Sequence, residues 1–485
     1  MGVAIVFSHA TRLTIGGFCA LLAVTAEAQN LADALTRAQA DDGRYISWSE
    51  HIVDDQASSG IELRGGDGLE MADLDGDGYL DIASVHESDD QYDGAPEGHI
   101  RIAFGSADPN HWQLVTLAEG PEAGAAEDVA IGDVNGDGYL DIVAACELAH
   151  LIYFENPGKN ARTVPWSRLI PTKTENRGSF IRVFLADLNG DRAPEIVTAN
   201  KGAQDPTKAR QEPKEISFFA LRGAPLEDDS WVEHVVTKVP WPINAQPIDL
   251  DGDDDLDVVG GSVAEQRMFW FENRSRGEQF DFIEHRVELV PSAPDADPVH
   301  VHAFNMAFAD LSGDGRLDIV TLDTPPLIGR RLLWLEQPAD ATAPWRYRQI
   351  DSYAPDAVVG IATADIDGDG DTDVMTGGYS LGSRTSDEPT PDGALGRLAW
   401  YQNGGDGAAA WTRHDFSRRQ RGMFDKFVAR DVDGDGDVDF AGTRGNSGPY
   451  DGVFWLEQVR SAEPRRAFTP ARAAESPEVP LPRRD

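Results

Sequence analysis

The nonapeptide Asp73–Asp81, DLDGDGYLD, runs directly into the apolar stretch Ile82-Ala83-Ser84-Val85, and six relatives follow it. They are DVNGDGYLD from Asp133, DLNGDRAPE from Asp187, DLDGDDDLD from Asp249, DLSGDGRLD from Asp310, DIDGDGDTD from Asp365 and DVDGDGDVD from Asp431. The steps between copies are 60, 54, 62, 61, 55 and 66 residues. One copy alone would read as a solvated acidic turn. Seven in register at that period are the mark of a repeat architecture.

A hard divalent cation takes six to eight oxygen ligands, and calcium accepts irregular cages. Oxygen-bearing side chains at positions 1, 3, 5 and 9 can converge on one point, and the backbone carbonyl of position 7 can add another oxygen. Glycines at positions 4 and 6 permit the tight left-handed turns that wrap the ion. The expected Ca2+ ligands, for up to seven ions, are Asp73, Asp75, Asp77 and Asp81 in the first loop and Asp133, Asn135, Asp137 and Asp141 in the second. The third and fourth offer Asp187, Asn189, Asp191 and Glu195, then Asp249, Asp251, Asp253 and Asp257. The last three offer Asp310, Ser312, Asp314 and Asp318; Asp365, Asp367, Asp369 and Asp373; and Asp431, Asp433, Asp435 and Asp439. Ser312 makes the fifth loop the weakest, and position 6 lacks glycine at Arg192 and Asp254. An EF-hand needs a bidentate Glu at position 12 and flanking helices. Position 12 is Ser84, Ala144, Thr198, Gly260, Thr321, Thr376 or Gly442, and the flanks are β-branched strands, so that alternative fails seven times.

The 485-residue chain has a formal net charge of −42. All but Asn135, Asn189 and Ser312 of the loop positions named above are acidic, so much of the charge belongs to the cation loops. Even with the loops filled the chain stays strongly acidic, which excludes non-specific nucleic-acid binding. Arg12, the apolar run Leu13–Thr25 and Ala26-Glu27-Ala28 read as a signal peptide over 1–28, with an uncleaved anchor as the alternative. A secreted or periplasmic location is expected, with no transmembrane segment after signal removal. The two cysteines, Cys19 and Cys146, then leave no internal disulfide. Calcium would supply the staples that disulfides often supply in exported proteins.

Around each loop the pattern predicts four strands. One enters the loop and one leaves it. A third carries an aromatic-acid-amide signature, as in Tyr153-Phe154-Glu155-Asn156, Trp270-Phe271-Glu272-Asn273 and Trp455-Leu456-Glu457-Gln458. A fourth opens on Trp112, Trp166, Trp231, Trp345 or Trp411, or on Phe282. These tryptophans are expected to pack between repeats rather than to bind sugars. The seventh repeat lacks a fourth strand, and Trp48–Val53 before the first loop has the missing pattern. The expected fold is all-β: a seven-bladed β-propeller of four-stranded antiparallel blades, closed by the N-terminal strand. Its boundaries are 29–43 linker, 44–460 propeller and 461–485 disordered Pro/Ala/Arg-rich tail.

The D-x-D-G-D-G-x-x-D loop followed by an apolar strand resembles the FG-GAP or VCBS repeat family. The resemblance covers nearly the whole chain after the leader. It implies a calcium-binding propeller like the head of integrin alpha subunits. Seven-bladed propellers also occur among polysaccharide lyases, so the resemblance names no substrate.

The loops mark one face of the ring, and the opposite face lies four to five residues away, roughly 13–17 Å along the strands. Counting back five residues predicts a ring of Gly68, Asp128, Arg182, Asn244, Asn305, Gly360 and Lys426 there. Counting forward predicts His86, Cys146, Asn200, Ser262, Asp323, Gly378 and Arg444, followed by Glu87, Glu147, Lys201, Val263, Thr324, Tyr379 and Gly445. Arg182, Lys201, Lys426 and Arg444 would form a cationic cluster, with His300 and His302 nearby. The first expectation for function is a binding module that holds a carbohydrate, another anionic ligand or a protein on this mouth. The second is a polysaccharide lyase working by β-elimination on uronates, with Arg182, Lys426 or Arg444 neutralising the carboxylate, His86 or His302 as base and Tyr379 as acid. A cell-surface adhesion or protein-interaction module is the third. His51, His234, His285 and His414 fall in outer strands and are set aside.

Overall fold

The second strand of each repeat is buried on both faces, as Asp81–His86, Asp141–Cys146 and Asp439–Arg444 illustrate. Strands apolar on both sides must be covered on both sides, and stacking blades around an axis does this. The structure, a computed structural model, describes residues 30–88, 93–294, 296–323, 329–380, 394–405, 411–472 and 476–482. The segment read as a signal peptide, with Cys19, lies outside them, as does Thr324. No helix among the described residues is long and apolar enough to cross a membrane.

Seven antiparallel blades form the propeller. Blade 1 runs from its inner strand Gly66–Ala72 through Asp81–His86 and His99–Phe104 to Gln113–Glu119 at the rim. Blades 2 to 6 begin at Ala126–Gly132, Phe180–Ala186, Pro242–Ile248, Met306–Ala309 and Val358–Ala364 and repeat the same order. Blade 7 takes Phe427–Arg430, Asp439–Arg444 and Gly452–Ser461 from the C-terminal end and Tyr45–Asp55 from the N-terminal end. Tyr45 pairs with Ser461 and Asp55 with Gly452, so the ring closes non-covalently, as expected. Seven apolar clusters accompany the seven blade-to-blade interfaces, and Trp48, Trp231 and Trp345 are fully buried within them.

Two added strands were not expected. Leu289–Pro291 pairs in parallel with the outer strand Trp345–Ser352 of blade 5. Phe468–Thr469 pairs in parallel with Tyr45–Asp55. The expectation of a disordered tail from 461 is therefore corrected. Phe468 is buried against Phe416, and Glu478 accepts from Ser417 Oγ and the Arg418 amide. The Pro/Ala/Arg composition concealed a few apolar and acidic residues that fit the rim.

The closing strand is held from both sides by buried charge. Glu50 accepts from Arg419 of blade 6 at 2.8 Å and faces Arg444 at 3.5 Å. Asp54 pairs with Arg101 of blade 1, both 2 % exposed.

The amide of the aromatic-acid-amide signature is a staple between blades. Asn156 Nδ2 donates to the Leu74 carbonyl of the preceding blade at 2.7 Å and to Leu140 of its own at 2.8 Å. Asn273, Gln337, Asn403 and Gln458 reach Leu188, Leu250, Leu311 and Ile366 in the same way. Leaving buried carbonyls unpaired costs about 1–3 kcal/mol. Asn156→Ala is expected to lose about that much stability in denaturant unfolding, whereas an exposed asparagine such as Asn110 should be neutral to the same change.

Candidate functional site

Each acidic loop ties itself together before any ion is considered. Asp73 accepts from the amides of Gly76 and Gly78, Asp75 from Asp77 and Asp77 from Tyr79. The position-9 carboxylate anchors the loop to the blade. Asp81 accepts from the Leu74 amide at 2.7 Å and from the Gly105 amide at 2.8 Å. Position 6 is left-handed throughout, including Arg192 at φ 76° and Asp254 at φ 71°. Such a conformation costs a side-chain-bearing residue about 1–2 kcal/mol. Arg192→Gly and Asp254→Gly are therefore each expected to raise stability by about 1 kcal/mol in a melt of the full chain.

The residues fit a hard cation in part of the expected set. Carboxylate oxygens of positions 1, 3 and 9 lie within 4.8 Å of one another in the first, fourth, sixth and seventh loops: Asp73, Asp75 and Asp81; Asp249, Asp251 and Asp257; Asp365, Asp367 and Asp373; Asp431, Asp433 and Asp439. The position-5 carboxylates Asp77, Asp253, Asp369 and Asp435 stand outside these groups. In the remaining loops position 3 is Asn135, Asn189 or Ser312. The first loop also draws a guanidinium from blade 2, since Arg162 contacts both Asp75 and Asp77.

Burial pushes the position-9 carboxyls far above the usual range: to about 7 for Asp81, Glu195 and Asp257, about 6 for Asp141 and Asp318, and about 8 for Asp373 and Asp439. A raised folded value means the folded chain binds more protons than the unfolded one between pH 4 and these values. Stability of cation-free protein must then fall as pH rises through that window. A bound cation reverses the sign, because the ion needs the ionised form. Melts from pH 5 to 8 should slope downward in chelator and not in calcium; parallel profiles would contradict this.

On the opposite face lies an axial cavity of about 160 Å³ to which every blade contributes. Asp67, Glu127, Ile181, Ile243, Phe304, Val359 and Asp425 line it from the inner strands or the segments leading into them. Glu87, Glu147, Lys201, Leu322 and Tyr379 line it from the second strands or just beyond them. The forward-counted ring of His86, Cys146, Asn200, Ser262, Asp323, Gly378 and Arg444 is not in this lining, whereas Glu87, Glu147, Lys201 and Tyr379, from the row one residue further on, are. Counting back missed by one residue. The inner strands of blades 2, 3, 4 and 6 carry a bulge between Ala126 and Asp128, Phe180 and Arg182, Pro242 and Asn244, and Val358 and Gly360, and blade 1 has one between Gly66 and Leu69. The extra residue of each bulge, Glu127, Ile181, Ile243 or Val359, is the one that lines the cavity. A bulge re-aims side chains and defeats period-two counting.

The predicted ring itself forms a belt around the axis. Arg182 donates to the Asn305 Oδ1 at 3.4 Å and faces Glu127 at 3.5 Å, and Lys426 pairs with Glu70 at 3.1 Å. Burial works against both charges, but Asp128 and Glu127 hold Arg182 above its ordinary value, and Glu70 and Asp128 do the same for Lys426. Beyond the belt a second axial cavity, of about 380 Å³, opens between the inner strands toward the loops.

The catalytic candidates divide. Arg182, Lys426 and Tyr379 lie at the axis. His86 is fully buried within blade 1, 3.2 Å from Ser84 Oγ, and burial with the nearby Arg101 charge pushes its pKa well below the ordinary value. His302 is 1 % exposed. Arg444 is committed to Glu50 and to the Tyr450 carbonyl at 2.8 Å. Lys201 pairs with Glu147. The expected cationic cluster is therefore neutralised, residue by residue, by Glu127, Glu147, Glu70 and Glu50, of which the count from the loops had placed only Glu147 on this face. The set-aside histidines are structural: His51, His285 and His414 stack on Trp455, Trp270 and Trp400, and His234 on Phe218.

Residues 73–144 and 249–321 match the FG-GAP-like repeat, each segment running from the start of one acidic loop into the second strand beyond the next. No curated protein matches the chain.

Proposed function

We propose that this seven-bladed propeller, which carries FG-GAP-like repeats, is an exported, calcium-stabilised binding module that takes its ligand at the axial mouth opposite the loops. One observation carries the reading. All seven blades converge on a cavity that joins an apolar wall to ionisable groups, the usual make-up of a ligand site. The loops have the complementary character. Their carboxylates accept from backbone amides of the same loop and converge on one another, which suits scaffolding held by a cation.

Catalysis by β-elimination needs a free cation, a base and an acid around one sugar. Arg182 and Lys426 are paired with carboxylates, and His86 and His302 are buried away from the cavity lining. The lining suits neutral or basic groups, from a carbohydrate or a protein side chain, and opposes a polyanion.

Calcium-loaded full-length protein should capture ligands from an array of neutral, basic and acidic glycans and peptides. Val359→Trp, which fills the cavity, should abolish capture. Asp310→Asn, in the loop expected to be weakest, should leave it intact at saturating calcium. Capture that survives Val359→Trp, or release of unsaturated uronate absorbing near 235 nm, would overturn the reading.

A further inference from the structure

The axial cavity has two unlike walls. One carries the carboxyl groups of Asp67, Glu87, Glu127, Glu147 and Asp425. The cations that face them are Lys201 at Glu147, Arg182 at Glu127 and Asp425, and Lys426 near Asp425. The other wall is Trp241, Phe304, Val359 and Met423. Aromatic rings here already receive cations on their faces: Arg182 lies 5.3 Å from the Phe304 centroid and Arg210 lies 4.7 Å from that of Trp241.

One acceptor of the wall is left unsatisfied within the protein. Asp425 Oδ1 is buried with no hydrogen-bond partner among the described residues, and an ammonium group is a donor that would satisfy it. Trp241 is held at φ 50°, which bulky residues rarely adopt, and such strain collects at ligand sites. Burial also raises Glu127 well above the ordinary carboxyl range, with Glu147 and Glu87 adding to it, and raises Asp425 to about 6. A cation brought against such crowded, desolvated carboxyls would favour their ionisation.

We propose that the axial cavity binds a small organic cation, an ammonium group on a compact apolar body, with the charge against Asp425 and Glu127 and the body against Trp241, Phe304 and Met423. The proposal rests on the axial site named above and assigns its ligand class. A bare metal ion would use the carboxylates but leave the aromatic wall unused, whereas an organic ammonium uses both. The size agrees, because a cavity of about 150 Å³ holds a benzene ring.

The test is calorimetric titration of the calcium-loaded full chain with three probes of one shape: benzylamine, benzyl alcohol and benzoate. The amine is expected to bind at least about tenfold more tightly than the alcohol, and benzoate not at all. Asp425→Asn and the isosteric Glu127→Gln should each weaken the amine by about tenfold while their melts stay close to the parent's. If benzyl alcohol or benzoate binds as tightly as the amine and Val359→Trp abolishes it, the cationic class is wrong and the axial site stands. If none of the three binds, the cation proposal is overturned, and array capture that persists in Val359→Trp would remove the axial site as well. Amine binding unaffected by both carboxyl variants would equally overturn it.

Discussion

Chelation should lower the melting temperature of the full-length protein by about 10 °C or more. Each filled site adds about 2.7 kcal/mol when calcium stands at a hundredfold excess over its Kd. Four loops bring three carboxylates within 4.8 Å of one another, and their contributions add. In a large domain each kcal/mol moves the midpoint by about 2–4 °C or somewhat less. The seven loops are not equally replaceable. Asp373 and Asp439 each belong to a group of three converging carboxylates, whereas the fifth loop has Ser312 where the others of this kind have a third carboxylate. Asp373→Asn and Asp439→Asn should therefore lower the calcium dependence of the melt more than Asp318→Asn, in the loop with Ser312. Differential scanning at fixed calcium and in chelator checks the ranking, and an unchanged midpoint in chelator would exclude structural calcium.

Glu50→Ala should cost about 3–5 kcal/mol, the usual penalty for leaving one half of a buried ion pair alone. Glu50 is buried, and its loss removes one carboxylate from two buried guanidiniums, Arg419 and Arg444. Burial opposes its ionisation, but Arg419 and Arg444 hold its pKa below the ordinary value. The pair's contribution is therefore present above the unfolded carboxyl pKa and lost as pH falls through the lower folded one. Asp54→Ala should cost a similar amount by stranding Arg101 at the interface with blade 1. Both residues lie on Tyr45–Asp55, the strand that closes the ring, so the loss should appear as faster unfolding and proteolysis beginning near blades 1 and 7. Asp42→Ala, which breaks an exposed pair with Arg44, should change nothing measurable. A melt of Glu50→Ala indistinguishable from the parent would show that the closing strand does not hold the ring.

Much of this was legible in the chain. Seven loops spaced 54 to 66 residues apart gave the blade count, and the orphan pattern around Trp48 identified the closing strand. These signals are local and repeated, so errors in one copy are corrected by the others. The mouth was harder to read. On the second strands the counted ring at His86, Cys146, Asn200 and Gly378 stops one residue short of Glu87, Glu147, Lys201 and Tyr379, and on the inner strands the bulges at Glu127, Ile181, Ile243 and Val359 shift the ring by one residue. Nothing in the local sequence marks those bulges except the blade geometry they serve. The supposed cationic cluster failed for a related reason, because Arg444 is neutralised by Glu50, about 400 residues earlier in the chain. The amides of Asn156 and Gln458 were visible as a recurring third-strand signature. Their role as staples required knowing which blade stands next to which.

The most direct test is anomalous diffraction from crystals of the full-length protein grown with calcium. The account predicts calcium peaks among positions 1, 3 and 9 of the loops, strongest at Asp73, Asp249, Asp365 and Asp431, and none in the axial cavity. Loops without anomalous density, or a calcium ion held by Asp67, Glu87 and Glu127 at the opposite mouth, would contradict it.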